Sequence, residues 1–289
     1  DLAKRKSIML AAVIPLFISL LLRYLPSGFT ITMLDVGQGD SFVIQNGYDT
    51  FIIDGGGLPN RDYGKNTGAQ VVAPYLDYLG ISEVAVFVTH PDNDHIAGIL
   101  ELFPKKNIRQ VYLSKTIDRS DPLYLQLMGL CEESNARVDY LSKGGIVESG
   151  TVRFNVIYPM DAIQTKGNES SLVIQVKQQK FSVLFTGDIS ADIENALSFD
   201  SPSILKLAHH GSKYSNSHEF VKAVNPPFAL VSAGRNNMYN HPSAEVLEFF
   251  YNSGIPIYNT QTSGAVILKI NKNIRVREMI KTEGTKKRY

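Results

Sequence analysis

The chain has 289 residues, of which 44% are hydrophobic and 20% are charged. This composition is ordinary for a folded protein and excludes a disordered, collagen-like or coiled-coil chain. The 29 basic residues nearly balance the 28 acidic ones, and the net charge of +1 is unlike that of a protein that coats nucleic acid. The single cysteine, Cys131, excludes a disulfide framework and a zinc site built from cysteines.

The first 25 residues combine a basic cluster with an apolar segment. Lys4, Arg5 and Lys6 precede residues 8–22, which are almost entirely apolar. A helix of that length is roughly 22 Å long, somewhat short for a bilayer core, and a signal peptide or a buried helix remains an alternative. We expect residues 1–25 to be a membrane-anchor helix. The preceding basic residues then place the rest of the chain on the extracytoplasmic side of the cell membrane.

From residue 29 onward, short apolar runs alternate with glycine and aspartate. Strands are expected at residues 31–34, 42–44 and 51–53, joined by tight turns at residues 37–39 and 46–47. Alternating helices and strands follow, including a strand at 84–88 and a helix at 96–103, and the same order then repeats from residue 151. Two such halves predict an α/β fold of four layers, an αββα sandwich, over residues 26–275. Residues 276–289 are expected to form a basic tail.

The segment after the expected strand at 84–88 is rich in metal-ligand side chains: His90, Asp92, Asp94 and His95. Ligand sites of α/β units gather at the carboxyl ends of strands. Carboxylates buried together without a cation would repel each other and carry a large desolvation cost. A solvated acidic turn is the alternative, but histidines at both ends of the segment favour a metal site.

Three further groups of this kind follow expected strands. They are Asp188 in a Thr-Gly-Asp sequence, the pair His209 and His210, and His241. Five of the six histidines thereby lie in loops at strand ends, and only His218 is assigned to a helix surface. The sequence therefore predicts that these side chains meet at one edge of the sandwich.

Taken in series, the motifs at residues 33–41, 54–56, 89–95, 168–172, 186–188 and 209–213 resemble the metallo-β-lactamase superfamily. More narrowly, they are similar to the C-terminal domain of the ComEC family of DNA-uptake competence proteins, or to a free-standing relative of it. The similarity extends over about residues 29–270. It implies the four-layer fold, and it implies degradation of the DNA strand that is not imported through an uptake channel.

The resemblance also implies a site for two divalent metal ions, Mn²⁺ or Zn²⁺. In that family pattern His90 and Asp92 bind the first ion, and Asp94 and His95 bind the second. Asp188 bridges both ions, and either His209 or His210 completes the second position, which spacing leaves open. Asp54 is expected to orient the metal ligands without binding a metal itself.

Two departures from the superfamily pattern bear on the choice of metal. Asp92 stands where the superfamily usually has a histidine, and Asn168 stands where a further histidine is expected. Oxygen ligands shift the preference of a site from zinc toward manganese or magnesium. We therefore expect a centre that accepts Mn²⁺ and whose first position is the weaker one.

We expect Asp94, Asp188 and His241 to be the catalytic residues. The substrate-binding candidates in nearby loops are Ser212, Lys213 and Asn237. Asp40 is interpreted as a hairpin residue. The function expected is a nuclease that acts on DNA, preferably single-stranded, at the outer face of the membrane beside an uptake channel. The alternatives are a phosphodiesterase for an envelope phosphodiester such as phosphorylcholine, and a non-catalytic, metal-stabilised module that guides DNA.

Overall fold

The structure, a computed structural model, describes residues 27–57, 67–160 and 166–280, together with residues 11 and 13–15. The strands are β1 (Ser27–Met33), β2 (Phe42–Gly47), β3 (Asp49–Ile53), β4 (Glu83–Val88), β5 (Asn107–Ser114), β6 (Arg137–Leu141), β7 (Ile146–Ser149), β8 (Val152–Tyr158), β9 (Val173–Gln178), β10 (Phe181–Phe185), β11 (Ile204–Lys206), β12 (Ala229–Val231), β13 (Ile257–Asn259), β14 (Val266–Ile270) and β15 (Ile274–Glu278). The α-helices are α1 (Ala73–Tyr78), α2 (Asn93–Leu102), α3 (Pro122–Ser134), α4 (Ala191–Ala196), α5 (His218–Val224), α6 (Ala244–Asn252) and α7 (Thr260–Ser263).

The strands form two sheets. The eight-stranded sheet has the order β15-β14-β1-β2-β3-β4-β5-β6, and the seven-stranded sheet has the order β13-β12-β11-β10-β9-β8-β7. Strands β3 to β6 run parallel to one another, as do β10 to β13. The carboxyl ends of parallel strands meet at one edge. The loops after these strands carry the expected site residues Asp54, His90, Asp188, His209 and His210.

Three apolar clusters hold the layers together. The central cluster lies between the sheets, where Phe42 and Phe185 meet edge to face with ring centroids 4.9 Å apart. A second cluster packs α1, α2 and α3 against the outer face of the eight-stranded sheet. A third packs α4, α5 and α6 against the other sheet through residues such as Phe220 and Phe250. The four-layer αββα sandwich predicted from the sequence is confirmed.

Gly98 lets helix α2 lie directly against the loop after β3. A Cβ atom at this position would lie only 1.9 Å from the carbonyl oxygen of Gly55. The Gly98 N–H donates to the carbonyl of Gly56 at 2.8 Å, and the Gly55 N–H donates to the carbonyl of His95 at 2.7 Å. These contacts fix the start of α2 relative to the end of β3.

Several element boundaries differ from the sequence-based prediction. Helix α2 begins at Asn93 rather than residue 96, because Asp92 adopts an extended conformation at the N-cap and Asp94 suits the first turn. Strand β7 was not predicted, and a π-helical turn, Gly68–Val72, precedes α1. Strand β15 pairs with β14 as far as Glu278, so regular structure continues past residue 275.

The tight hairpin turn expected at residues 37–39 is also wrong. Strand pairing between β1 and β2 ends at Met33 and Phe42, which leaves a longer loop at residues 34–41. Gly39, with a φ of +119°, lies so close to α2 that a Cβ atom would be 2.1 Å from the Asp94 carbonyl oxygen. The loop thereby brings Asp40 to the edge where the site residues gather.

The expected membrane anchor lies mostly outside the described residues, as does most of the expected basic tail. Across the part of the chain that the structure describes, no helix has the length and apolar character needed to cross a bilayer.

Candidate metal centre

His95 is fixed by a buried carboxylate. It lies in the first turn of α2, is fully buried, and its Nδ1 is 2.8 Å from Oδ2 of Asp54. Because a carboxylate accepts, Nδ1 carries a proton, and Nε2 is the ring nitrogen that faces Oδ2 of Asp188, at 3.2 Å. Burial lowers the pKa of His95, but the charges of Asp188 and Asp54 outweigh burial and hold this pKa well above its ordinary value.

His90 takes the same orientation through a different partner. The Thr89 hydroxyl donates to Asp54 at 2.7 Å, so its oxygen is left to accept the Nδ1 proton of His90 at 3.0 Å. The Nε2 atom of His90 then lies 3.8 Å from Oδ2 of Asp92. Burial and the neighbouring charge of His95 lower the pKa of His90 to about 3, which keeps this ring neutral and able to bind a metal.

His210 faces the same carboxylate as His95. Its Nδ1 donates to the carbonyl of Ser232 at 3.0 Å, and its Nε2 lies 3.3 Å from Oδ2 of Asp188 and 3.5 Å from Oδ2 of Asp94. His210 is 1% exposed. Of the two histidines that spacing left open, His210 is thus the one that faces Asp94 and Asp188 beside His95.

The three buried rings share one property. The Nε2 atoms of His90, His95 and His210 are all buried and have no hydrogen-bond partner within the described residues. Such orphaned groups are rare in folded proteins and call for an explanation. Imidazole Nε2 atoms facing carboxylate oxygens are the donor set that a divalent transition metal prefers, so the residues present fit a metal centre.

His209 is the more exposed of the two neighbouring histidines and lies farther from Asp188 than His210 does. Its Nε2 is 4.0 Å from Oδ2 of Asp188, and its Nδ1 is 3.4 Å from the amide nitrogen of Asn168. The neighbouring residue Gly167 approaches Asp92. His209 and Asn168 therefore lie near Asp92, the residue that stands where the superfamily usually has a histidine.

The backbone at His209 and His210 is strained. Both residues adopt left-handed conformations, with φ values of +49° and +53°. Two consecutive non-glycine residues in this region cost roughly 1–3 kcal/mol each, which persists only where the surroundings impose it. With this backbone conformation, the imidazoles of both residues point toward Asp188.

The centre opens to solvent on one side. The side chains of Asp92 and His209 are 46% and 31% exposed, whereas the other proposed ligands are largely buried. The ring of His241 lies on this open side, 5.2 Å from the ring of His209, and its Nδ1 is buried without a hydrogen-bond partner. Burial and the charges of His209 and His210 lower the pKa of His241 to about 4, so the ring is neutral at pH 7.

Two of the three expected substrate-binding residues instead support their own loops. The amide of Asn237 donates to the carbonyls of Gly234 and His241 and accepts from the N–H groups of Tyr239 and His241. Its hydrogen-bonding capacity is used within the loop. Buried Ser212 accepts from the Tyr214 N–H in a turn. Neither side chain is therefore presented to a substrate.

Lys213 is the exception. It is exposed, and its Nζ lies 5.2 Å from the centre of the Tyr214 ring. An exposed ammonium in the loop directly after His209 and His210 remains available for a phosphate group.

Sequence reasoning missed a buried ion pair beneath the centre. Lys206, 1% exposed, pairs with Asp40, and its Nζ also lies 3.5 Å from Oδ1 of Asp188. Asp40 in turn places Oδ1 3.5 Å from Nδ1 of His210. Burial raises the pKa of Asp40, but the charges of Lys206, His210 and His95 together outweigh burial and lower this pKa, so the carboxylate is ionised. A lysine inside an otherwise apolar strand was the available signal.

Asp40 also belongs to a compact group of four possible ligands. Single ligand atoms of Asp40, His95, Asp188 and His210 lie within 4.8 Å of one another. Asp40 lies on the Nδ1 side of His210, however, whereas Asp94 lies on the Nε2 side. We therefore assign Asp94 to the metal face and Asp40 to the support behind His210.

A two-sheet αββα sandwich with imidazoles and carboxylates at one edge defines an α/β protein with a candidate metal centre. The model of the metallo-β-lactamase superfamily matches residues 34–235, and the chain belongs to that superfamily. The fold agrees with the metallo-β-lactamase fold protein YhfI from Bacillus subtilis, whose crystal structure gives a TM-score of 0.53 at 10% identity. That similarity covers 83% of this chain and 99% of YhfI.

Sequence similarity to curated proteins indicates a narrower family within this superfamily. ComE operon protein 3 from Bacillus subtilis (strain 168) is 28% identical over 251 residues, which cover 82% of this chain and 32% of that protein. Recombination protein 2 from Haemophilus influenzae is 30% identical over 246 residues, 82% of this chain and 28% of that protein. These ComEC-family relatives confirm the resemblance indicated by the motifs. The chain spans about a third of their length.

Proposed function

We propose that the chain is a metal-dependent phosphodiester hydrolase, namely a nuclease that degrades DNA at the outer face of the membrane during DNA uptake. The observation that carries the proposal is the shared orientation of His90, His95 and His210, whose orphaned Nε2 atoms face carboxylates. Two divalent cations, Mn²⁺ or Zn²⁺, would supply an activated water molecule and neutralise phosphate charge when bound by these side chains.

The chain's own residues arrange these groups around Asp188. Oδ2 of Asp188 faces the Nε2 atoms of His95, His210 and His209 at 3.2, 3.3 and 4.0 Å. One carboxylate oxygen is therefore shared between the two sides of the centre. This placement supports the bridging role proposed for Asp188, with Asp94 assigned to one side and Asp92 to the other.

His241 and Lys213 are the proposed groups for the substrate. A neutral imidazole can donate a hydrogen bond to the oxygen that leaves the phosphorus atom, and His241 stands on the open side of the centre. Lys213 is exposed in the loop that follows His209 and His210, and its ammonium can pair there with a phosphate group.

DNA as the substrate and the membrane as the location are parts of the proposal. Two curated relatives are named Recombination protein 2 and Competence protein ComA, which supports a role with DNA. The basic and apolar residues 1–25 support an anchor that leaves the hydrolase domain outside. A DNA-uptake channel is the proposed partner.

The test is hydrolysis by the metal-loaded chain of four substrates in parallel. These are labelled single-stranded DNA, labelled duplex DNA, bis(p-nitrophenyl) phosphate and p-nitrophenylphosphorylcholine. The proposal expects cleavage of single-stranded DNA with Mn²⁺ and none with EDTA, together with slow hydrolysis of the small diester. Preferential hydrolysis of the phosphorylcholine ester would replace the nuclease by an envelope phosphodiesterase. DNA binding without hydrolysis of any substrate would indicate a guiding module.

A further inference from the structure

Lys206 is a buried charged residue that contacts the proposed metal ligand Asp188. It is the last residue of β11, with apolar Leu205 and Leu207 on either side. Its side chain is 1% exposed. A buried ammonium carries a large desolvation cost unless its hydrogen bonds and charge are fully matched. A lysine at this position must therefore be held by specific partners.

Those partners come from both halves of the sandwich. Nζ of Lys206 pairs with Asp40, donates to the carbonyl of Gly187 at 2.9 Å, and lies 3.5 Å from Oδ1 of Asp188. Asp40 belongs to the loop after β1 in one sheet, whereas Gly187 and Asp188 follow β10 in the other. The ammonium thereby joins the two sheets directly beneath the proposed metal ligands.

Because of this contact, the two carboxylate oxygens of Asp188 face different partners. Oδ1 faces Lys206, and Oδ2 faces His95 and His210. The same holds for Asp40, since Oδ2 pairs with Lys206 and Oδ1 faces Nδ1 of His210. One cation thus sets the orientation of two carboxylates, one of which is a proposed ligand and the other of which backs a proposed ligand.

We propose that Lys206 is a positioning residue of the metal centre. Its permanent positive charge holds the carboxylates of Asp40 and Asp188 in their orientations when no metal is bound. This inference rests on the proposed metal centre. A chain with five aspartates in and around one site, Asp40, Asp54, Asp92, Asp94 and Asp188, needs positive charge before metal arrives. Lys206 supplies a permanent part of that charge from within the fold.

The experiment compares melting temperatures of the full chain in EDTA and in saturating Mn²⁺ for wild type and Lys206→Met. Methionine fills a similar volume without the charge. In EDTA the variant should melt roughly 10 °C lower, because a buried pair has lost one partner. In Mn²⁺ at least half of that loss should be recovered, since divalent cations then neutralise the carboxylates.

Lys106→Met is the matched control. Lys106 is also largely buried, and it pairs with Asp77 and the carbonyl of Ile81, outside the residues assigned to the metal centre. Its replacement should lower the melting temperature equally with and without Mn²⁺. An equal, metal-independent loss for Lys206→Met would overturn the inference and leave Lys206 as an ordinary structural residue.

The double variant Asp40→Asn/Lys206→Met tests the charge balance even if the single variant fails to fold. Removal of both charges should make the metal-free double variant melt higher than metal-free Lys206→Met. A double variant that is no more stable than the single one, or that also fails to fold, would contradict the proposal. Wild type that is neither bound nor stabilised by Mn²⁺ or Zn²⁺ would instead contradict the proposed function itself.

Discussion

Asp54 holds His95 by a contact of 2.8 Å between its Oδ2 and the ring's Nδ1, which leaves Nε2 as the atom that faces Asp188. The same carboxylate accepts from the N–H and the hydroxyl of Thr89, at 2.8 and 2.7 Å. Because the Thr89 hydroxyl in turn orients His90, one buried carboxylate sets the direction of two proposed ligands.

Asp54→Asn should therefore weaken metal binding without loss of the fold. Asparagine tolerates the left-handed backbone at this position, where φ is +57°, but offers one acceptor oxygen fewer and no charge. We expect metal affinity to fall about 10- to 100-fold, measured by competition with a chromophoric chelator. Asp49→Asn, in β3 and paired with Arg109, is the control that should keep wild-type affinity. Unchanged affinity in Asp54→Asn would remove Asp54 from the account.

His241 should affect turnover and leave the metals in place. His241→Ala is expected to lower the rate of DNA cleavage by about 10²- to 10³-fold, the usual contribution of one hydrogen-bond donor to an oxygen that gains negative charge. Metal content should equal that of wild type. The control is His218→Ala, since His218 stacks on Phe249 with ring centroids 3.9 Å apart and was assigned to a helix surface. Equal rates for the two variants would exclude a role for His241 in cleavage.

The oxygen ligands proposed for the first metal position predict a preference for manganese. Asp92 and Asn168 stand where imidazoles are usual, and harder donors favour harder cations. Metal-free protein should therefore recover more cleavage activity with Mn²⁺ than with Zn²⁺ at equal free concentrations. Full recovery with Zn²⁺ and none with Mn²⁺ would show that ligand hardness does not decide the metal.

Glu194 links the stability of the loop containing His209 and His210 to pH. Its two oxygens accept from the N–H groups of Asn216 and Ser217 at 2.7 and 2.9 Å, and the Asn216 side chain bonds both backbone groups of Ala208. Burial raises the pKa of Glu194 from 4.5 to about 7. Between these values the folded chain holds a proton that the unfolded chain has lost. This carboxyl therefore contributes stability below pH 4.5 that is lost as pH rises through 7.

Glu194→Gln cannot ionise and should lack this dependence. The difference in unfolding free energy between wild type and variant should shift in favour of the variant between pH 4.5 and 8, by up to about 3 kcal/mol. Urea unfolding of both proteins at several pH values measures the difference, in which the titration of all shared histidines cancels. A difference that stays constant over this range would show that Glu194 is not the titrating group.

The sequence allowed prediction of the architecture because its periodicity is local. Apolar runs of strand length between glycines and aspartates, alternating with helical patterns, are sufficient for two packed α/β halves. The clustering of His90, Asp188 and His210 followed from the rule that parallel strands end at one edge. Neither inference needed knowledge of which strands are neighbours.

Other parts of the site depend on contacts that no local pattern contains. Lys206 was counted within an apolar strand, since its partner Asp40 lies far away in the chain and reaches it only through the longer loop at residues 34–41. The left-handed backbone of His209 and His210 was equally unexpected, because non-glycine residues rarely adopt it. Asn237 suited substrate binding by position, yet its amide is used by its own loop.

Removal of Asp188 tests the central claim most directly. In Asp188→Ala, the remaining ligands lose the oxygen that faces His95, His210 and His209, so the two cations should no longer be held together. Metal content per chain should fall, and the rate of DNA cleavage should fall by orders of magnitude. Lys213→Ala should keep its metal and lose only affinity for DNA. A folded Asp188→Ala protein that retains two metal ions per chain and cleaves DNA at the wild-type rate would contradict the account.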